Sequence, residues 1–147
     1  MGTRADFYVG RGEAAEWLGS IAWDGYPAGN PKHVTAAVDE ATYRAKVGEL
    51  LTELCARHAT LPAQGWPWPW ETSHTTDYAY AFDGGKVWAS PFGHGWFDAT
   101  AEEPPEDLPE DKTAVFPDMT DRSNIARGTR SGVFLVSATP SGGLVIE

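Results

Sequence analysis

Residues 77–90 read Asp-Tyr-Ala-Tyr-Ala-Phe-Asp-Gly-Gly-Lys-Val-Trp-Ala-Ser. Aromatic rings alternate with alanine up to Phe82, and a second short run of strand-forming residues follows Asp83-Gly84-Gly85. Alternation with period two marks a half-buried strand, and glycine supplies the positive φ that a three-residue hairpin loop needs. The stretch therefore predicts a β-hairpin, with Tyr78, Tyr80 and Phe82 on one face and Ala79 and Ala81 on the other. A sheet face that apolar must be covered by another layer. Residues 39–58 (DEATYRAKVGELLTELCARH) supply that layer as the one strong helix. Tyr43, Val47, Leu50, Leu51 and Leu54 recur at spacings of three and four, while Arg44, Lys46, Glu49 and Glu53 lie mainly elsewhere. Asp39 suits the N-cap and Glu40 the positive first turn.

Working outward, residues 5–10 (ADFYVG) read as a short strand with Phe7 and Val9 opposite Asp6 and Tyr8. Residues 16–23 (EWLGSIAW) read as a second strand, antiparallel to the first because Arg11-Gly12-Glu13 is a short turn. Trp17, Gly19, Ile21 and Trp23 would share one face, Gly19 leaving a gap for a neighbouring aromatic. Dense turn residues follow at 24–31, and residues 91–97 form an irregular aromatic stretch containing His94 and Trp96. Beyond an acidic, Pro-rich loop at 101–112, the pattern predicts a helical turn around 123–127. An apolar strand at 132–139 and a short edge strand at 144–147 complete the expectation. The fold class is α+β: one domain over 1–147, with an antiparallel sheet of about four to six strands packed on the helix at 39–58.

The chain has 147 residues with ordinary apolar and charged fractions, enough for a real core without staples. Its lone cysteine, Cys55, excludes an internal disulfide or a cysteine-based zinc site. No apolar run approaches membrane-spanning length, no signal-peptide h-region is present, and Asp6 spoils an N-myristoylation motif. These features point to the cytoplasm. Net charge is −10, half of it within 101–112. Such a chain lacks the basic stripe of a duplex-binding protein.

The candidate functional surface is Trp66-Pro67-Trp68-Pro69-Trp70 and the polar tail after it. Trp66 and Trp68 precede proline, which drives them toward extended or polyproline backbone. A polyproline helix turns every three residues, so indoles spaced by two should fan around its axis. One indole would then plug the core and another face outward. Glu71, Thr72, Ser73, His74, Thr75, Thr76 and Asp77 bring hydroxyls, an imidazole and carboxylates beside the rings, as in a pocket for a planar group. The ordinary alternative is an aromatic lid over the sheet. His74 with Asp77, or His94 with Asp98, would make an oriented base or divalent-metal ligands; turn and capping hydrogen bonds are the competing role. Neither pair matches a known ligand motif. Cys55 and His58 lack a third orienting group and read as a buried thiol and a helix-end cation. Arg11, Arg122, Arg127 and Arg130 suit phosphate or carboxylate, or equally the many surface acids.

Three segments, residues 3–12 (TRADFYVGRG), 16–27 (EWLGSIAWDGYP) and 65–80 (GWPWPWETSHTTDYAY), resemble a group of small uncharacterised proteins encoded by bacteriophages and prophages. The resemblance implies a phage accessory product acting in the bacterial cytoplasm and transfers no functional residues. The leading expectation is a non-enzymatic, cofactor-free binding protein. It would sequester a small nucleotide-like ligand on Trp66, Trp68 and Trp70, with His74, Thr75, Thr76, Asp77, Tyr78, His94, Trp96 and Arg11 around it, and so counter a host defence. The alternatives are an acidic inhibitor of a host protein, or a small hydrolase or transferase using His74, His94 and Asp77. The apolar last strand also allows a homo-oligomer.

Overall fold

The computed structural model describes residues 2–54, 58–108, 116–120 and 124–125. The elements are β1 (Ala5–Val9), β2 (Glu16–Ile21), α1 (Lys32–Thr35), α2 (Glu40–Leu54), β3 (Ala59–Thr60), β4 (Tyr78–Asp83), β5 (Lys86–Pro91) and β6 (Phe97–Asp98). The strands expected at 132–139 and 144–147 lie outside the described residues, as do Cys55, Arg122, Arg127, Arg130 and most of the turn expected at 123–127.

Among the described residues the six strands make one sheet in the order β3-β2-β1-β4-β5-β6. The fold is α+β, a sheet packed against one principal helix. The sheet is mixed, however: β1 pairs parallel with β4, Ala5 opposite Tyr78 and Val9 opposite Phe82, while the other pairings are antiparallel. A hairpin forces reversal of direction, but β2 and β4 are joined by a long excursion through both helices and the Trp-Pro segment. Such a connection leaves the direction of β4 open. The β4–β5 hairpin is as expected except for its turn. Asp83 pairs with Lys86, so the loop is Gly84-Gly85 alone. Their φ values of 64° and 86° are the pair of positive angles a two-residue turn matching strand twist requires.

One face of the sheet carries Ala5, Phe7, Leu18, Ile21, Tyr80, Phe82 and Val87 against the helices. Tyr43, Val47 and Leu51 of α2 are fully buried there, and Leu50 and Leu54 are partly so. Each buried side chain of this size stabilises by about 1.5–3 kcal/mol. The helix begins as its sequence directs: the Asp39 carboxylate accepts from the Thr42 backbone N–H at 2.8 Å. Arg44 donates to Glu16 of β2 at 2.6 Å and 3.2 Å and to Glu40 at 2.8 Å, tying helix to sheet.

The face expected for Trp17, Gly19, Ile21 and Trp23 does not form. Phe7 pairs with Gly19 but Tyr8 pairs with Trp17, so Leu18 is an extra residue in β2. This irregularity switches the alternation: Leu18 and Ile21 face the helix, and Trp17 faces the opposite side with Tyr8. Trp23 lies beyond the strand end and is 49 % exposed. Gly19 adopts φ 146°, and its missing side chain is filled by Leu51 of α2 rather than by an aromatic. A Cβ here would collide with Leu51 and lie 2.8 Å from the Thr60 carbonyl oxygen. Gly19→Ala is therefore expected to cost about 2–4 kcal/mol of stability in urea denaturation, by combining backbone strain with overpacking. A cost under about 0.5 kcal/mol, the level of an ordinary surface change, would contradict this packing.

Candidate functional site

Helices α1 and α2 cover one face of the sheet; loops and short 3-10 turns cover the other. The second face presents Tyr8, Trp17, Ala79 and Ala81, and its cover is a strap of residues 62–77 with Phe116 and Met119. The Met119 N–H donates to the Glu71 carbonyl at 2.9 Å, joining the two parts of the cover. Trp88 shares this face through its pairing with Ala81. Every tryptophan except Trp23 therefore lies on or over it.

At its centre is Asp6, fully buried on β1 beside Ser20 and Ala79. Its Oδ1 accepts from the Ser20 hydroxyl at 2.6 Å and from the Trp68 indole N–H at 2.7 Å. Its Oδ2 accepts from the Ser73 hydroxyl at 2.6 Å, and the Thr76 hydroxyl acts on the carboxyl as well. An outer ring of aromatic groups backs these hydroxyls. Trp17 Nε1–H donates to Ser20 at 3.0 Å, Trp70 Nε1–H donates to Thr76 at 3.1 Å, and Tyr8 and Ser73 hydroxyls are 2.6 Å apart. Burial pushes the Asp6 pKa up, and the hydrogen-bond donors offset only part of that rise. Burial and the nearby Asp6 charge likewise raise Tyr8.

The three indoles of the strap do not fan. The chain bends at 68–70. Trp66 packs edge-on against Trp17, with centroids 5.2 Å apart and planes at 76°, and donates its N–H to the Trp70 carbonyl at 2.7 Å. Trp68 and Trp70 instead stack, 5.7 Å apart and 17° from parallel. All three are half-buried, with their N–H edges turned inward.

Parallel pairing of β1 and β4 sets Arg4 beside Asp77. The Arg4 backbone N–H, Nε and Nη2 all donate to the Asp77 carboxylate, at 2.9 Å, 3.2 Å and 3.3 Å. The guanidinium lies 4.9 Å from the Trp70 ring centroid and 5.8 Å from that of Trp68. Partial burial would raise the Asp77 pKa, but the Arg4 hydrogen bonds and charge together hold it below the usual carboxylate range.

The sequence-predicted site divides. Trp66, Trp68, Trp70, Thr76 and Asp77 come together, with Thr75 exposed beside them. Tyr78 leaves the group: alternation turns it to the helix face, where it stacks on Tyr80 at 6.1 Å. Arg11 sits at the far end of β1, bonded through Nε to Asp83 at 2.9 Å and lying over Trp88 and Trp96. The His74 ring meets the Phe116 edge at 6.2 Å, and Trp96 packs on the same Phe116 at 5.5 Å. His94 Nδ1 faces the Phe92 carbonyl at 2.7 Å.

Neither histidine has its expected acid. Asp77 belongs to Arg4, and Asp98 belongs to Lys86 at 2.7 Å and to Thr100. Lys86 and the Thr100 groups hold the Asp98 pKa down to about 2. Among the described residues no three His, Cys, Asp or Glu side chains gather as they would around a metal ion. Sequence reading missed Arg4, Asp6, Ser20 and Trp88 as members of these clusters. The available signal was Asp6 itself, an acid in a strand whose neighbours are apolar.

Asp6→Ala leaves the Ser20, Ser73 and Trp68 donors without their acceptor. The expected cost is about 3–5 kcal/mol, with red-shifted tryptophan emission as the strap loosens. Because its pKa is raised on folding, Asp6 binds a proton in the folded state over a window where the unfolded chain does not. Its contribution to stability is thus largest below the unfolded value and is lost as pH rises through the folded one. Asp77 and Asp98, with lowered values, lose theirs as pH falls. Denaturation of wild type and Asp6→Asn across pH should show the falling limb on the alkaline side of the ordinary Asp range only in wild type. Equal profiles would refute the assignment.

No protein-family model, no curated protein and no solved structure matches this chain.

Proposed function

We propose that this protein is a non-enzymatic binder of a small nucleotide-like ligand, whose planar part stacks on the Trp68–Trp70 pair beside Arg4. The observation that carries the reading is that pair: two parallel indoles, half-exposed, with a guanidinium along their faces. A third ring extends an existing stack at little cost, and base-on-indole stacking is worth about 1–3 kcal/mol per base. The indoles are already immobilised, since Asp6 and Thr76 hold their N–H groups. Binding would therefore order little that is mobile, which preserves affinity. Arg4 Nη1 has no hydrogen-bond partner among the described residues and is the donor offered to a ligand oxygen. The engagement of Asp77 by Arg4 and of Asp98 by Lys86 favours binding over catalysis, because neither acid is left to orient His74 or His94 as a base among the described residues. The resemblance of the Trp-Pro and N-terminal segments to phage-encoded proteins supports the context. In this reading a phage accessory protein in the bacterial cytoplasm withdraws a nucleotide signal from a host defence.

Calorimetry of the full chain against linear and cyclic nucleotides tests this directly. Wild type should release heat with at least one of them, and Trp70→Ala should bind it about tenfold more weakly or worse while retaining its far-ultraviolet dichroism. Absence of heat across the panel, together with unmoved Trp68 and Trp70 indole resonances, would sink the proposal.

A further inference from the structure

The other end of β1 carries a second cluster of the same kind with a different balance of bonds. Arg11 follows the strand, and its guanidinium centre lies 4.5 Å from the Trp88 ring centroid and 5.9 Å from that of Trp96. Lys86 Nζ lies 4.9 Å from the same Trp88 centroid. Trp88 is held in place by its own N–H, which donates to the Asp83 carbonyl at 3.0 Å. Asp83 Oδ2 takes Arg11 Nε, and Asp98 takes Lys86.

The contrast with Arg4 decides what this corner can do. Arg4 spends Nε and Nη2 on both oxygens of Asp77. Arg11 spends Nε alone, and neither of its terminal nitrogens has a partner among the described residues. A guanidinium in this state is fixed by an acid behind it and a ring beneath it. Its two outer N–H groups still form a planar fork, the geometry that matches two oxygens of an oxyanion. Fixing the side chain in advance removes part of the entropy cost of capturing one.

We infer that Arg11, Lys86, Trp88 and Trp96 form a separate subsite for a phosphate group, with Arg11 as its bidentate donor and Lys86 as its second cation. Two cations suit a monoester dianion better than a carboxylate. The acids Asp83 and Asp98 position those cations rather than consume them, since each leaves donors of its partner unused. The subsite does not depend on the ligand proposed for Trp68 and Trp70. The five-residue strand β1 lies between Arg4 and Arg11, about 15 Å or more of extended chain, so one mononucleotide cannot reach both platforms.

The seven indole N–H resonances of the intact protein, assigned by single Trp→Phe variants, report the two platforms separately. The probes are inorganic phosphate, AMP, adenosine and acetate. Phosphate and AMP should shift Trp88 and Trp96, with acetate weaker and adenosine without effect on them. Arg11→Gln should weaken phosphate about tenfold or more, and Arg11→Lys should also weaken it, because Lys keeps the charge but lacks the fork. Unchanged Trp17 and Trp66 resonances in each variant establish that the fold is intact. The inference is overturned if phosphate and AMP leave Trp88 and Trp96 unmoved at millimolar concentration, or if Arg11→Gln binds phosphate as wild type does. Shifts at Trp68 and Trp70 with AMP but none at Trp88 and Trp96 would uphold the stacking platform and reject this subsite. AMP shifts confined to Trp88 and Trp96 would uphold this subsite and remove adenine as a ligand of the stacking platform.

Discussion

A single buried carboxylate organises the face of the sheet opposite α1 and α2. Among the described residues no cation pairs with Asp6, and its carboxyl is met by hydroxyls of Ser20 and Ser73 and by the indole N–H of Trp68. Removing a carboxylate from water is costly, and only a complete set of short hydrogen bonds makes the position tolerable. The donors come from β2 and from the strap, segments far apart in the chain. Seating Asp6 therefore also seats the strap. Trp17, Trp70 and Tyr8 add their polar atoms one step further out. Apolar packing alone would tolerate several placements of so many indoles, whereas a directional network of this kind selects one.

The second constraint is the parallel pairing of β1 with β4. Strands running the same way bring like ends together, and each end of this pair joins an arginine to an aspartate: Arg4 to Asp77, Arg11 to Asp83. Each arginine also lies on indoles, Trp68 and Trp70 at one end and Trp88 and Trp96 at the other. The resulting face is aromatic along its length and charge-paired at both ends. In a chain of net charge −10, such local pairing keeps cations available where the overall field would repel an anionic ligand.

The strap illustrates how local and tertiary preferences compete. Proline forces extended backbone at Trp66 and Trp68 and so keeps the segment out of any helix, as its dipeptides require. Local preference alone would have continued the polyproline path and spread the rings. The Asp6 acceptor and the Thr76 hydroxyl draw Trp68 and Trp70 to the same side, and the chain bends to allow it. Likewise the alternation in β2 predicted one face for Trp17 and Ile21, but the extra residue at Leu18 separated them. An irregularity of this kind leaves no periodic trace in a six-residue strand.

Several features depend only on residues near in sequence. The α2 helix and its Asp39 cap, the β4–β5 hairpin, the β1–β2 hairpin, the α+β class and the aromatic character of the strap all follow from i, i+2 and i, i+4 patterns. Short-range sterics and amphipathicity are sufficient to specify them. The direction of β4 and the burial of Asp6 needed the assembled sheet. So did the separation of Arg11 from the strap, the turning of Tyr78 to the helix face, and the loss of both histidine–aspartate pairs. Each of these depends on which distant segment lies alongside, and that is set by the joint packing of the helix layer and the strap on the two faces of the sheet.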